Sequence, residues 1–236
     1  MIERLAALMM RRARHHTLIF HRVLREPDPM SPGEPTADWF RSLVGMLAAN
    51  FQIISLHEAV RRAATGDLSG QTVSITFDDG YADNFTVALP ILQALDVPAT
   101  FFVASGFLDG GRMWNDSIIE SFRRLGEGRH EIDGPGTGHF DLTDWDSRRK
   151  AASAIITAWK HLPLAERQRR VDALAGRVKE LPGDLMLSTG QLRALAGSSG
   201  VTIGGHTRTH PILASLDDVH AREENPPHRH LRHIRE

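Results

Sequence analysis

The sequence predicts an α/β protein built on a mostly parallel sheet with crossover helices, and three observations carry that expectation. Short runs of β-branched and aromatic residues recur between longer helix-like stretches, the alternation that parallel strands require because their connections must cross over. The chain has 236 residues, enough for one domain or two small ones around a substantial core. Hydrophobic residues make up 41% of it against 24% charged, the balance of an ordinary globular protein.

Taken in order, residues 1–16 read as an amphipathic lead-in helix. Glu3 interrupts the start of its apolar run, and Arg11, Arg12 and Arg14 follow that run, whereas a secretory signal places its positive charge first. A helix lying on a membrane surface is the alternative. No stretch approaches the roughly 20 consecutive apolar residues of a membrane span, so the location expected is cytoplasmic.

Strands are expected at Thr17–Leu24, Phe51–Ser55, Thr72–Phe77, Ala99–Ala104 and Val201–Gly204. Helices are expected at Thr36–Ala49, Leu56–Ala64, Ala82–Leu95, Asp116–Leu125, Asp144–His161, Leu164–Leu181 and Ser188–Ala196. Thr36 and Ser188 are N-cap residues, Asp144 opens a helix after a turn, and Pro90 should bend or divide its helix. Strands follow at α/β intervals up to Ala104, and the next begins only at Val201. The interval contains a Gly-rich loop at 126–138 and two charged helices, so residues 17–224 read as one domain with a helical insertion around 126–187. A small separate helical domain is the other reading, but no flexible linker flanks it. Residues 225–236, rich in Pro, His and Arg, fit neither a buried strand nor an amphipathic helix and read as an exposed or disordered tail.

Composition removes several functions. A net charge of −1 lacks the basic footprint of a nucleic-acid binder. The absence of Cys excludes thiolate metal sites and cysteine nucleophiles, so any metal must use carboxylates and some of the 13 histidines. There is no Gly-x-Ser-x-Gly elbow and no phosphate-binding Gly-x-x-x-x-Gly-Lys loop, and Gly134-Pro135-Gly136-Thr137-Gly138 lacks dinucleotide-binding context.

Two segments carry chemistry. In Thr76-Phe77-Asp78-Asp79-Gly80, an apolar strand runs into two adjacent carboxylates and a glycine turn. Strand C-termini are where α/β folds bind ligands, and neighbouring acids repel unless a cation or shared proton relieves them. A helix cap is the commoner explanation of an isolated Asp-Asp-Gly. In the second segment, Gly204-Gly205 ends another strand and His206-Thr207-Arg208-Thr209-His210-Pro211 follows. The His-x-x-x-His spacing can bring two imidazoles to one ion, and Pro211 disfavours an α conformation at His210, which implies a loop or single turn. Two histidines and one carboxylate make three ligands and leave a position for water, the pattern of a catalytic zinc site. The second carboxylate is then available as a general base.

These two segments resemble the first motifs of the polysaccharide deacetylases, the NodB-homology or carbohydrate esterase family four. Ile19-Phe20-His21-Arg22-Val23 resembles that family's first strand, and Pro98-Ala99-Thr100-Phe101-Phe102-Val103 the strand after the acid motif. The resemblance implies a distorted (β/α) barrel and metal-dependent removal of acetyl groups from N-acetylated sugars of a glycan or polysaccharide. It implies Asp78 as catalytic base, Asp79, His206 and His210 as ligands of a divalent ion, and Thr207 as the residue that steadies the loop. Zinc is the ion expected, with cobalt, nickel or manganese as alternatives. No Arg-x-Pro segment of the family follows Pro211, and Leu231-Arg232-His233, which has the letters of the family's Leu-x-His, lies in the tail after too short an interval, so the family-like sequence is expected to stop near Arg222–Glu224, leaving the barrel incomplete at its C-terminus. The alternatives to a deacetylase are a truncated or degenerate member that binds metal or glycan without turnover, and an amidase on a non-sugar C–N bond.

Four further residues are candidates for the substrate or the surroundings of the site. His21 can line its mouth, against the commoner role of a satisfied core or edge histidine. Tyr81 adjoins the acid motif and can instead cover the turn. Trp114 and Asp116 can meet a sugar, against the structural reading in which Trp114 packs while Asn115 or Asp116 caps the next helix.

Overall fold

The computed structural model describes residues 15–68, 70–135 and 138–225. In chain order its elements are β1 (His15–Phe20), α1 (Ala37–Asn50), β2 (Gln52–Ile53), α2 (Leu56–Ala64), β3 (Thr72–Phe77), a π-helical turn (Asn84–Ala88) running into α3 (Leu89–Ala94), and β4 (Ala99–Val103). Then come α4 (Trp114–Arg124), β5 (Gly128–Ile132), β6 (Gly138–Leu142), α5 (Trp145–Trp159), α6 (Leu164–Ala175), α7 (Thr189–Ala196), β7 (Val201–Gly205) and α8 (Asp218–Glu224). The described residues form two compact units, one of 15–27, 33–111 and 184–225, the other of Asp28–Pro32 with Arg112–Gly183.

In the first unit the five expected strands form one sheet in which every pairing is parallel. β3 lies between β1 and β4, β4 pairs with β7, and short β2 runs against the start of β3. Aromatic rings hold the register. Phe20 lies opposite Phe77 and Phe77 opposite Phe101, with stacked ring centroids 5.5 and 4.8 Å apart. Phe40 of α1 meets Phe20 and Phe77 edge-on at 5.1 and 5.7 Å. Each such pair contributes about 0.5–1.5 kcal/mol beyond its burial, and a one-residue slip would break the row and turn these rings to the other face. The row ends where the chemistry begins: the residue after Phe77 is Asp78, whose N–H donates to the Phe20 carbonyl at 2.8 Å.

Helix boundaries follow local chemistry. The Thr36 side chain accepts from the Trp39 N–H, and Ser188 and Gln191 form a reciprocal capping box. Pro90 falls in the first turn of α3, where its missing N–H costs nothing, and the chain ahead of it widens to a π turn in which the Leu89 N–H reaches Asn84. The helix expected over Ala82–Leu95 is thus divided at the position where proline demanded it.

Several boundaries differ from expectation. The first strand ends at Phe20 and not Leu24, because the Val23 N–H goes to the Asp83 carboxylate (3.1 Å) and Leu24 exchanges bonds with Pro35 and Ala37 (both 2.8 Å). His21 therefore lies just past the strand. His15 and His16, expected in a lead-in helix, belong to β1, and residues 1–14 and 226–236 lie outside the described residues.

The second unit takes in most of the segment 126–187. Its Gly-rich stretch is not a loop but an antiparallel hairpin, β5 against β6. The signal was the alternation that buries Ile132, Phe140 and Leu142 on one face, masked by the surrounding glycines. These residues pack with Ile118, Phe122, Ile155, Trp159, Val171 and Leu174 of the three helices. Arg148 closes the end of α4, donating to the carbonyls of Phe122 (2.7 Å) and Leu125 (2.6 Å). The helix expected over Leu164–Leu181 stops at Ala175, with Gly176 as its C-cap.

Gly80 follows the acid pair with φ 85°, and a Cβ there would stand 2.8 Å from Val103 Cγ1. Gly80→Ala is therefore expected to destabilise the fold by about 1–2 kcal/mol. A lower urea midpoint at unchanged slope is the predicted reading, and an unmoved midpoint contradicts it.

Candidate metal centre

The acid turn leaves β3 in an unusual conformation. Asp79 sits in the left-handed region at φ 75°, which a non-glycine residue adopts at a cost of about 1–2 kcal/mol. Surrounding backbone bonds hold it there: the Ala104 N–H donates to the Asp79 carbonyl (3.1 Å), the Gly80 N–H to Asp78 (3.0 Å), and the Leu187 N–H to Gly80 (2.9 Å).

The histidine loop hangs from the same strand end. The His206 N–H donates to the Val103 carbonyl (3.0 Å), while the Ser105 and Gly106 N–H groups donate to the carbonyls of Thr207 (3.3 Å) and Arg208 (2.8 Å). Gly106 is required here, since a Cβ would stand 2.6 Å from the Arg208 oxygen. Thr207 and His210 both have positive φ, 62° and 52°, and the Thr207 hydroxyl accepts the His210 N–H at 3.0 Å. As Pro211 required, His210 is in a loop. Residues 103–106 thus bracket the acid turn on one side and the histidine loop on the other.

The bracket brings three donor atoms together. Asp79 Oδ1 lies 3.4 Å from the Nε2 of both His206 and His210, and the two Nε2 atoms are 3.1 Å apart. Asp79 is 5% exposed, and its Oδ1 is buried without a hydrogen-bond partner among the described residues. A buried carboxylate oxygen facing two imidazole nitrogens is a concentration of lone pairs that a cation relieves. Two imidazoles and a carboxylate suit zinc and its neighbours in the first transition row. The residues therefore fit a divalent ion. The histidine side chains are 30% and 43% exposed, so the centre opens to solvent on their side. That openness matches a catalytic centre, whereas a structural one closes its coordination with protein. Partial burial holds His210 below the ordinary imidazole value, opposed by Asp79 and, more weakly, Asp78, and aided by His206 and His21. Neutral imidazole is the form that binds metal.

Of the other residues singled out in the sequence, Asp78 and His21 both act electrostatically on His210 and so belong to its surroundings. The His21 carbonyl accepts from Asn84 Nδ2 at 2.9 Å, which fixes the chain past β1. Tyr81 is 4% exposed beneath the Arg22 guanidinium, 4.9 Å from its ring centroid, and so packs over the turn instead of presenting a face to a sugar. Trp114 and Asp116 belong to the second unit. Trp114 packs on that unit's core with Arg167 over its ring at 4.4 Å, so that ring face is covered. Neither Asn115 nor Asp116 caps α4; its N-cap is Met113, without a side-chain bond, and Asp116 lies buried in the first turn.

Sequence reasoning missed four residues. Arg22 Nε donates to Asp83 Oδ2 at 2.8 Å, and this mostly buried pair ties the end of β1 to the acid motif. Burial raises the Asp83 carboxyl, and Arg22 opposes that shift. Glu34 is also raised by burial and feels Arg22, His21, Asp83 and Asp79, which places a further carboxyl in the same field. Glu224 is bonded to the histidine loop. Asp83 stands inside the acid motif and could have been flagged; for Glu34 and Glu224 there was no sequence signal.

Residues 65–160 match the family model described as Polysaccharide deacetylase. Over that segment, which is less than half of the chain, the sequence is similar to the polysaccharide deacetylases. This hydrolase family's match covers the acid pair but ends before the histidine loop. The Streptococcus pyogenes deacetylase PplD, solved in complex with acetate, shares the fold with a TM-score of 0.52 at 16% identity, over 88% of this chain and 62% of that one. The de-N-acetylase from Aggregatibacter actinomycetemcomitans gives 0.45 at 21% identity, over 82% and 54%. The BpsB deacetylase domain from Bordetella bronchiseptica gives 0.42 at 20%, over 83% and 55%. The chain spans between 54% and 62% of the length of these structures. No curated protein sequence matches it significantly. Among the described residues, no helix is long and apolar enough to cross a membrane.

Asp79→Asn keeps the shape of the buried side chain and removes its charge. In chelator it is expected to stabilise the protein by about 1–2 kcal/mol while abolishing stoichiometric zinc binding. Thermal melts and titration calorimetry read the two effects; a destabilised variant, or one that still binds zinc, contradicts the assignment.

Proposed function

We propose that this chain hydrolyses the acetamide group of N-acetylated sugars in a glycan or polysaccharide, using a divalent ion held by Asp79, His206 and His210. The observation that supports this reading is the buried Asp79 Oδ1, without a hydrogen-bond partner among the described residues and facing two imidazole nitrogens beside a second carboxylate, in a chain similar to the deacetylases over residues 65–160. Bound there, a divalent ion, zinc in this reading, supplies Lewis acidity toward the amide carbonyl and activates water at neutral pH.

The chain's own residues do the rest. Asp78 accepts the proton of the attacking water, and that proton passes to the amide nitrogen as the C–N bond breaks, giving acetate and a free amine. Asp78 suits this role because its backbone is pinned at both ends, N–H to Phe20 (2.8 Å) and carbonyl to Gly80 (3.0 Å), next to the ligand Asp79. Thr207 keeps His210 turned inward through its hydroxyl. The Arg22–Asp83 pair holds the end of β1, and His21 with it, against the acid turn.

The metal-loaded protein is expected to release acetate from a chitin-type oligosaccharide. Asp78→Asn is expected to lose about 10²–10⁴-fold in turnover while binding zinc as the parent does, and His206→Ala to lose the metal itself. Full activity in the first variant, or stoichiometric zinc in the second, contradicts the assigned roles.

A further inference from the structure

Both histidines of the centre sit on a loop whose outer side faces solvent, and that side is gripped by one carboxylate. Glu224, the last residue of α8, accepts the Arg208 N–H (2.9 Å) and the Thr209 N–H (2.7 Å) on Oε2, and the Thr209 hydroxyl (2.6 Å) on Oε1. These donors are two successive peptides between His206 and His210, where the chain has positive φ at Thr207 and again at His210. Within the loop the His210 N–H goes to the Thr207 hydroxyl, whereas the Arg208 and Thr209 N–H groups go to Glu224; without that acceptor the loop relaxes among other conformers. On its inner side the same loop is held by Ser105 and Gly106, whose N–H groups take the Thr207 and Arg208 carbonyls. At Arg208 the carbonyl is tied inward to Gly106 and the N–H outward to Glu224.

We infer that Glu224 is a positioning residue for the metal centre: it holds the His206–His210 loop with both imidazoles facing Asp79, and so sets the affinity of the centre for its ion. The inference rests on the metal reading above. Glu224 is not a ligand; it acts through the peptides it binds. Charge-assisted bonds from backbone N–H groups to a carboxylate are among the stronger hydrogen bonds, and removing an outer partner of a metal ligand weakens binding by about 10–100-fold.

A glutamine at this position separates geometry from charge. Its carbonyl oxygen can accept the two N–H groups, and its NH₂ can donate to the Thr209 hydroxyl, so all three contacts survive while the charge is lost. Zinc titration of the full chain by calorimetry is expected to give affinity about 10–100-fold weaker for Glu224→Ala and recovery of most of that loss in Glu224→Gln. In metal-free protein, hydrogen exchange at the Arg208 and Thr209 amides is expected to accelerate in the alanine variant only. Equal zinc affinity of the alanine variant and the parent overturns the inference, as does a glutamine variant as weak as the alanine one. Should Glu224→Ala not fold, Thr209→Val, which removes the hydroxyl contact alone, decides the point: weaker zinc binding supports the link and unchanged binding overturns it. If the parent binds no zinc, it is the proposed function that fails. Amide exchange then decides for or against Glu224 by itself.

Discussion

One buried oxygen organises this molecule. Asp79 Oδ1 has no hydrogen-bond donor among the described residues and faces two imidazole nitrogens at 3.4 Å. Placing a carboxylate there costs free energy unless a cation shares the space, and the surrounding structure is arranged to keep it there all the same. The left-handed backbone at Asp79, the glycine that must follow it, and the positive φ angles at Thr207 and His210 are all local costs. Strain of this kind persists where neighbouring bonds overdetermine it, and it gathers at functional sites.

What overdetermines it is a parallel sheet in fixed register. The stacked row Phe20, Phe77 and Phe101 aligns β1, β3 and β4, so the residues beyond the row emerge at one edge. Past β4, residues 103–106 hold the acid turn through Ala104 and the histidine loop through Val103, Ser105 and Gly106. The centre is therefore supported by backbone bonds of adjacent strand ends, which makes it rigid in its interior and open on its histidine side.

Much of this was legible in the sequence because it depends on local pattern. The five strands, the caps at Thr36 and Ser188, and the break at Pro90 follow from alternation, hydroxyl capping and a missing N–H. Asp79, His206 and His210, which the structure brings together, could be named because the acid pair and the histidine pair each lie within a short motif at a strand end. Contacts between distant segments had no such signature. Glu224 lies among other charged residues of α8, and its bonds to Arg208 and Thr209 exist only once the loop has folded. The hairpin β5–β6 was hidden by glycines that imitate a loop, and the burial of Tyr81 beneath Arg22 needed the position of β1. Trp114 shows the same limit: an aromatic beside polar residues reads as a platform until an arginine is found on its face.

The central claim is that Asp79, His206 and His210 converge on one divalent ion. Anomalous diffraction at the zinc edge, from crystals of the zinc-loaded protein, tests it most directly. The account predicts a single strong peak about 2.0–2.2 Å from a carboxylate oxygen of Asp79 and from Nε2 of both histidines. A peak elsewhere, or none at this position at full zinc occupancy in solution, would contradict it.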